Sequence, residues 1–402
     1  MPAPLAGIRV LDFTMVISGP LCTQWLADQG ADVVKVEPPG AGDMTRGIYT
    51  QRAGVTALFL NLNRNKRSVA IDLKSDAGRE ALIRMAEQAD VLVENFRPGR
   101  LERYGLGYAD LHAKNPGLIY TSIRGLGESG PDADQPVYDA LIQGRSGMIA
   151  SQESADGRRD IVRNFVCDKM TSIVAAQAIT AALFARERGA GGQHLHLSML
   201  DTAIAFLWPD AFLNQTFLGE GAEPQPPIGS AIRLFETRDG HVMLSPTQPK
   251  HVEALLRVLG RPQLLEDPRF ESVATRIAHI EEWNDALQSL LAGQETEKLA
   301  ARLEADEVPF CVVSDLDEVL DDRQVRANEL MVELRHASAG RYRQPRHPTL
   351  FDGTPGPAPR AAPALGEHTE DVLREAGFAS EEIERMRTDG AFGDTEEPTR
   401  WT

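Results

Sequence analysis

Short apolar runs of β character alternate with longer helical stretches through the first half of the chain, and this alternation constrains the fold more than any other feature. "IRVLDFT" (8–14), "ADVVKVE" (31–37), "SVAIDL" (68–73), "DVLVENF" (90–96) and "GLIYTSIRG" (117–125) each have the length and bulk of a buried strand. Between them, "GPLCTQWLADQG" (19–30) reads as a helix with Pro20 in its first turn and Gly30 as its stop. "SDAGREALIRMAEQA" (75–89) is a second helix. Strands separated by helical crossovers predict an α/β fold with a parallel or mostly parallel sheet and helices on its faces. Farther on, "KMTSIVAAQAITAALFARERG" (169–189) predicts a helix of about five turns. Apolar side chains wrap most of its circumference, so it is expected to be buried. "GQHLHLSML" (192–200) is another strand, and "DTAIAFLWPDAFLNQTFL" (201–218) a helix bent near Pro209.

The Pro/Gly-rich stretch "GEGAEPQPPIGS" (219–230) is the best domain boundary in the sequence. Beyond it come the strand-like "HVMLSPT", three helical stretches between about 250 and 304, and the strand "VPFCVVSDL" (308–316). Residues 336–366 are rich in Pro and Gly and poor in periodicity. They read as an extended arm crossing a surface, since a loop this long is unusual inside a compact domain. Two short helices, "HTEDVLREAG" and "SEEIERMRTDG", follow.

Acidic residues outnumber basic ones 59 to 42, a net charge of −17. That field repels nucleic acid and anionic membranes, so neither is expected as a partner, although an anionic small molecule can still bind a local basic site. The N-terminal residues carry no signal-peptide pattern, and no run approaches the ~18 apolar residues of a membrane span. Cys22, Cys167 and Cys311 are far apart and lack C-x-x-C spacing, which suits free thiols in a reducing cytoplasm. No zinc-type motif is present, so no metal is expected. His194 and His196 alternate on a strand and are read as structural.

In α/β sheets, ligands sit beyond the carboxyl ends of the strands. Arg46, Lys74, Asn95, Arg97, Arg100, Arg103 and Arg124 fall at or after strand ends, a grouping suited to phosphate or carboxylate. Each one alone could be solvated surface charge. The first strand–turn–helix reads "SGPLCTQ" and not G-x-G-x-x-G, which disfavours NAD. In "RNFVCDKMTS" (163–172), Asp168 stands where the long helix begins. Asp is among the best N-cap residues, and that reading is the simpler one. An ionised carboxylate at a helix N-terminus is also what a nucleophile requires.

Several stretches taken together resemble the family III CoA-transferases, the CaiB/BaiF group that includes formyl-CoA transferase. They are "GIRVLDFTMVISGPLCTQWLADQGADVVKVEPPGAGDMTRG", "NKRSVAIDLKSDAG", "ADVLVENFRPG", "VYDALIQGRSG", "ALFARERGAGGQHLHLSML" and "APALGEHTEDVLREAGF". The resemblance implies a large Rossmann-like domain built from both chain ends (1–218 and 325–402) and a smaller middle domain (219–324). It also implies an interlocked homodimer, with the 336–366 arm returning around the partner. The catalytic position falls on Asp168. The implied reaction moves CoA from an acyl-CoA to a free carboxylic acid through an aspartyl anhydride and an aspartyl-CoA thioester. Coenzyme A is then a substrate, and no permanently bound cofactor is implied. Its binding residues would be Lys74, Asn95, Phe96 and Arg103, with the adenine near Ile71, Asp72 and Leu73. Val16, Ile17 and Ser18 would lie near the thioester, with Tyr138 beside them.

The sequence departs from that pattern in several places. Pro38 stands where formyl-CoA transferase has a phosphate-binding Arg, a role Arg46 or Arg100 could take over. The glycine-rich loop that donates to oxyanions is reduced to "PPIGSA" (226–231), leaving Gly229 as the candidate. Ile17 and Leu58 replace a Gln and a Tyr of the oxalate-using relative, so a less polar acceptor than oxalate is expected. Arg145 occupies a site where a small residue is usual, and either binds a second acceptor carboxylate or makes a salt bridge. Two rival readings stand beside the transferase. One is a 2-methylacyl-CoA racemase, disfavoured because "VYD" replaces the required His with Tyr138, a poor acid/base near neutral pH. The other is a non-catalytic CoA-binding protein.

Overall fold

The apolar runs become six strands of one sheet in a computed structural model that describes residues 1–154, 157–226, 229 and 232–393. In chain order the elements that matter here are β1 (Arg9–Asp12), α1 (Ser18–Asp28), β2 (Asp32–Glu37) and β3 (Arg67–Ala70). They continue with α2 (Asp76–Ala86), β4 (Val91–Glu94), β5 (Ile119–Arg124), α3 (Asp139–Ser146), α4 (Val166–Ala185) and β6 (Gln193–Ser198). The strands lie in the order β3-β2-β1-β4-β5-β6, and every pairing is parallel. The order reverses between β1 and β4, so their carboxyl ends flank a topological switch point, the usual ligand crevice of such a sheet.

The inner strands of the sheet are buried on both faces, whereas the edge strand β6 is largely half-buried. Val10, Leu11, Val33, Val34, Val91, Leu92 and Val93 are all at most 1% exposed. Such strands read as continuous apolar runs because neither face meets water. One face carries a core of Leu11, Val34, Val69, Leu82, Met85 and Leu92, closed by Val372, Leu373, Ile383 and Met386 from the two last helices (Thr369–Glu375 and Ser380–Thr388). On α1, Gly19 meets the β1–α1 loop so closely that a Cβ would stand 2.2 Å from Thr14 Cβ, so only glycine fits there.

Among the described residues the chain divides into two compact units. One holds Met1–Ala150, Asp160–Phe206 and Glu329–Thr402, the other Ser151–Arg159 and Leu207–Asn328. The second unit has a three-stranded antiparallel sheet, Leu234–Glu236, His241–Leu244 and Phe310–Val312. Its core gathers Phe235, Leu255, Phe270, Trp283, Leu287 and Leu299. Pro209 lies within the helix Met199–Ala211, and the backbone leaves helical geometry at Phe212 (φ −105°, ψ 23°).

The 336–366 segment differs from the single extended arm read from its composition. Gly340–Pro345 pairs antiparallel with Met331–His336 as a hairpin, and irregular backbone follows. That backbone runs along the sheet edge of its own chain: Arg360 N–H donates to Asn65 Oδ1 at 2.6 Å and Gly366 N–H to Ser68 Oγ at 2.9 Å. Among the described residues no helix is long and apolar enough to cross a membrane.

Candidate active site

Asp168 is not the cap of α4. The helix starts at Val166, the N-cap position is Phe165, and no side chain caps there. Asp168 is therefore the third helical residue, in the first turn. The cap reading fails because Asp139 does that work from outside: the Asp168 backbone N–H donates to Asp139 Oδ2 at 3.0 Å. Asp139 opens α3 and is itself 2% exposed. Its other oxygen accepts from Gln143 Nε2 at 2.6 Å, one helical turn away. Gln143 is fixed in turn, because its Oε1 accepts from Val162 N–H at 3.0 Å and its Nε2 also donates to Val162 O at 3.0 Å.

The Asp168 carboxyl group is buried, and Ser18, the first residue of α1, turns its hydroxyl and backbone N–H toward it. The N-termini of α1 and α4 thus converge on one carboxylate, each presenting the positive end of its dipole. Burial, then the charge of Asp139, push the Asp168 carboxyl up to about 6, against the Ser18 donors and the charge of Lys169. A carboxylate of that basicity is ionised at neutral pH yet more nucleophilic than a solvated one. The neighbouring Cys167 thiol is pushed up to about 12 by burial and by both carboxylates, so it is inert as a nucleophile.

The loop that carries Ser18 is held in a sparsely populated conformation. Val16, a β-branched residue, has φ +73°. Asn95, just after β4, grips the residue before it: Oδ1 accepts from Met15 N–H at 2.9 Å, and Nδ2 donates to Met15 O at 2.8 Å. These two bonds bridge the switch point between β1 and β4. Beneath the loop is a fully buried set of charges. Lys35 Nζ donates to Thr14 O at 2.7 Å and pairs with Asp43 at 3.0 Å. Lys66 Nζ reaches Asp12, Pro20 O and Asn63, each at 2.8 Å. Burial raises the Asp12 carboxyl, but Lys66 and Lys35 outweigh it and hold it well below the usual range. Lys35 and Lys66 lie within a strand and a polar turn, where sequence alone reads lysine as surface charge.

The other sequence-derived residues fall into distinct settings. Ile71 and Leu73 are fully buried in the core, so only their backbone can face a ligand, whereas Lys74 is exposed and the half-buried Asp72 accepts the Lys74 N–H at 2.9 Å. Phe96 is half-buried beneath Arg100, whose guanidinium carbon lies 5.6 Å from the ring centre. Among the described residues no acid pairs with Lys74, Arg97, Arg100 or Arg103, and the buried Nε of Arg100 has no partner. Arg46 is different. It forms a two-pronged pair with Glu37, both contacts at 2.8 Å, and stacks on Phe59, so it is not free to replace a phosphate ligand. Arg124 is likewise committed, to Glu94 at 2.7 Å and to Phe96 O at 2.9 Å. Tyr138 is 63% exposed at the start of α3. Arg145 lies on α3 in a half-exposed ion pair with Asp132. Gly229 is exposed in the second unit, and most of "PPIGSA" around it lies outside the described residues.

The sequence profile of CoA-transferase family III matches residues 5–369. The chain is 34% identical to the succinate–glutarate CoA-transferase of Agrobacterium fabrum over 96% of its own length and 98% of that protein. It is 31% identical to the formyl-CoA:oxalate CoA-transferase of Bradyrhizobium diazoefficiens over 98% of both chains. Among solved structures, a CAIB/BAIF family protein from Brucella suis superposes with a TM-score of 0.81 at 29% identity, covering 94% of this chain and 100% of that one.

Proposed function

The chain belongs to CoA-transferase family III, and from that premise we propose that Asp168 is the nucleophile that carries CoA between two carboxylic acids. The observation that carries this reading is a buried carboxylate whose capping work is done by another residue and which faces donors of Ser18.

The steps balance without metal or redox chemistry. An Asp168 oxygen attacks the thioester carbonyl, the C–S bond breaks, and CoA leaves as thiolate from a mixed anhydride. The thiolate attacks the aspartyl carbonyl, expelling the first acid as carboxylate and leaving an aspartyl-CoA thioester. The acceptor carboxylate attacks that thioester and frees the thiolate again. The thiolate then takes the acceptor acyl group and regenerates Asp168. Each attack creates an oxyanion, and the N-terminal end of α1 is oriented to favour negative charge.

The unpaired cations Lys74, Arg97, Arg100 and Arg103 beyond the strand ends suit the phosphates of CoA, with Asn95, Phe96, Asp72 and the backbone of residues 71–73 beside them. For the acceptor, the apolar Ile17 and Leu58 and the name of the Agrobacterium relative support a short aliphatic dicarboxylic acid over oxalate. A homodimer accounts for the apolar Ile173 and Phe184 on α4, 56% and 64% exposed in the single chain. Three free cysteines suit a cytoplasmic setting. A racemase is the poorer reading, because Tyr138 stands where a His is required and among the described residues no side chain hydrogen-bonds its hydroxyl.

The test is to treat the enzyme with hydroxylamine during turnover of succinyl-CoA with glutarate and to map the product by mass spectrometry. A hydroxamate on Asp168 is expected. An unmodified Asp168 in an enzyme that still makes glutaryl-CoA rejects the mechanism. Tight CoA binding without turnover on any acid favours a non-catalytic CoA-binding protein, and rapid α-hydrogen exchange in a 2-methylacyl-CoA favours the racemase.

A further inference from the structure

We propose that Asp139 is the positioning residue of the reaction: by accepting the Asp168 N–H it caps α4 in place of Asp168 and leaves the Asp168 carboxylate turned from its own helix toward the Ser18 donors. The proposal deepens the reading of Asp168 as nucleophile and rests on it.

An Asp in the first turn of a helix has unsatisfied backbone N–H groups within reach of its own side chain. If Asp168 bound one of them, an oxygen would be lost to the attack and the side chain would fold back along its helix. Asp139 removes that option by taking the N–H at 3.0 Å from a separate helix. Each of its oxygens already accepts a hydrogen bond, one from Asp168 N–H and one from Gln143 Nε2 at 2.6 Å, so the carboxylate is fixed in place by two neighbours. Its part is to hold backbone and side chain in place, which is a positioning role.

The network also specifies which side chain can stand at 139. Gln143 cannot turn its amide over, because its Oε1 accepts from Val162 N–H and its Nε2 donates to Val162 O. The group facing Gln143 must accept, and the group facing Asp168 N–H must accept. Among small polar side chains only an ionised carboxylate accepts at both places. An Asn would set its NH₂ against the NH₂ of Gln143. The cost is a second buried negative charge beside Asp168, which no stability argument favours. The groups around Asp168 are Asp139 from α3, Ser18 from α1, and Cys167 and Lys169 from its own helix. Asp139 is the one acid among them that also fixes the backbone.

The experiment compares Asp139→Ala and Asp139→Asn in the full chain. Turnover at saturating acyl-CoA, KM, CoA affinity, melting temperature and the pH profile of kcat/KM are measured for each. The expected result is a fall in kcat of about 100-fold for both single variants, the scale of a small displacement of a reacting group. CoA affinity should stay within about twofold, since the CoA phosphates bind elsewhere. The acid limb of the profile should move to lower pH, because the neighbouring charge is gone. A kcat within about threefold of wild type in the single variants overturns the proposal. So does a loss that tracks the folded fraction with an unmoved pH profile. If Asp139→Ala does not fold, Asp139→Asn, nearly the same shape, decides. Asp168→Asn is the separate control. Full turnover in that variant rejects the nucleophile itself, whereas a dead Asp168→Asn beside a fully active Asp139→Asn rejects the role of Asp139 alone.

Discussion

Asn95 holds Met15 by both backbone groups, accepting its N–H at 2.9 Å and donating to its carbonyl at 2.8 Å. The residue that follows β4 thereby fixes the loop that follows β1, across the point where the strand order reverses. The family resemblance implies CoA binding by Asn95, and this contact gives its side chain a structural task as well. Val16, next to Met15, is held at φ +73°, which no β-branched residue adopts unaided. Asn95→Ala releases the clamp, and Asn95→Asp keeps the acceptor but loses the donor. Both should lower kcat by about 10–100-fold, the range expected for losing one or two hydrogen bonds of about 1–1.5 kcal/mol each plus some misplacement of Ser18. Initial rates over a range of acyl-CoA concentrations check this. A variant that raises KM alone would mean that Asn95 serves the ligand and not the loop.

Asp168→Asn should abolish turnover and stabilise the protein at the same time. The folded carboxyl titrates at about 6, above its value of roughly 3.9 in an unfolded chain. The fold therefore disfavours the ionised form. Below about pH 4 the group is protonated in both states and adds no penalty. As pH rises from about 4 to about 6 the penalty grows, and above that it is constant. Removing the charge should stabilise the protein by about 1–3 kcal/mol at pH 8 and by nothing near pH 4. Chemical denaturation of both proteins at the two pH values measures it. Equal stability at pH 8 would show that Asp168 is better solvated than its burial implies.

The inner strands of the sheet are legible in the sequence because strands buried on both faces need unbroken apolar runs, and Val33, Val34, Val91 and Val93 supply them, while β6 is marked by the alternation of its side chains. The hairpin at Met331–His336 and Gly340–Pro345 is not legible. Its strands are largely polar and partly exposed, so neither run length nor alternation marks them. The buried charges escape for a different reason. Lys35 in "DVVKVE" and Lys66 in "NRNKRS" have the sequence context of surface lysines. They are buried only because Asp12 and Asp43, far along the chain, come to meet them. Asp168 could be singled out as a junction acid, but the choice between cap and free carboxylate depends on Asp139. The sequence carries only the i, i+4 spacing of Asp139 and Gln143, which suits a side-chain hydrogen bond once a helix forms there but does not name its third partner.

Arg46 and Arg100 should separate cleanly on substitution. Arg46 is tied to buried Glu37 by two contacts at 2.8 Å, while Arg100 keeps a buried Nε without a partner beside Phe96. Arg100→Ala, like Arg103→Ala, should raise KM for acyl-CoA about 5–30-fold, as expected for losing one charge-assisted phosphate contact worth about 1–2 kcal/mol. The effect should shrink as salt rises. Arg46→Ala should leave KM near wild type and lower stability by about 2–4 kcal/mol, because buried Glu37 loses its ion-pair partner and keeps only the Asp43 N–H and Ser68 hydroxyl donors and the charge of Lys35. Steady-state kinetics at two ionic strengths and a urea titration read both outcomes. A KM effect in Arg46→Ala would return that residue to the CoA site.

Arg145 offers the sharpest question about the acceptor. In the single chain its guanidinium pairs with Asp132, and both side chains are half-exposed. Pairs of this kind contribute only about 0–1 kcal/mol, so a ligand carboxylate can displace Asp132 at little cost. A second acceptor carboxylate gains nothing from the apolar Ile17 and Leu58 and needs a cation of this kind. If Arg145 supplies it, Arg145→Ala raises KM for glutarate and succinate about 10-fold or more, the worth of one carboxylate–guanidinium contact, and leaves KM for butyrate and valerate unchanged. Asp132→Ala frees the guanidinium and should lower KM for the diacids alone. A panel of matched mono- and diacids, with the CoA thioesters quantified by mass spectrometry, gives all the values in one experiment. Equal effects on both classes, or none, would reduce Arg145 to the surface ion pair it forms with Asp132.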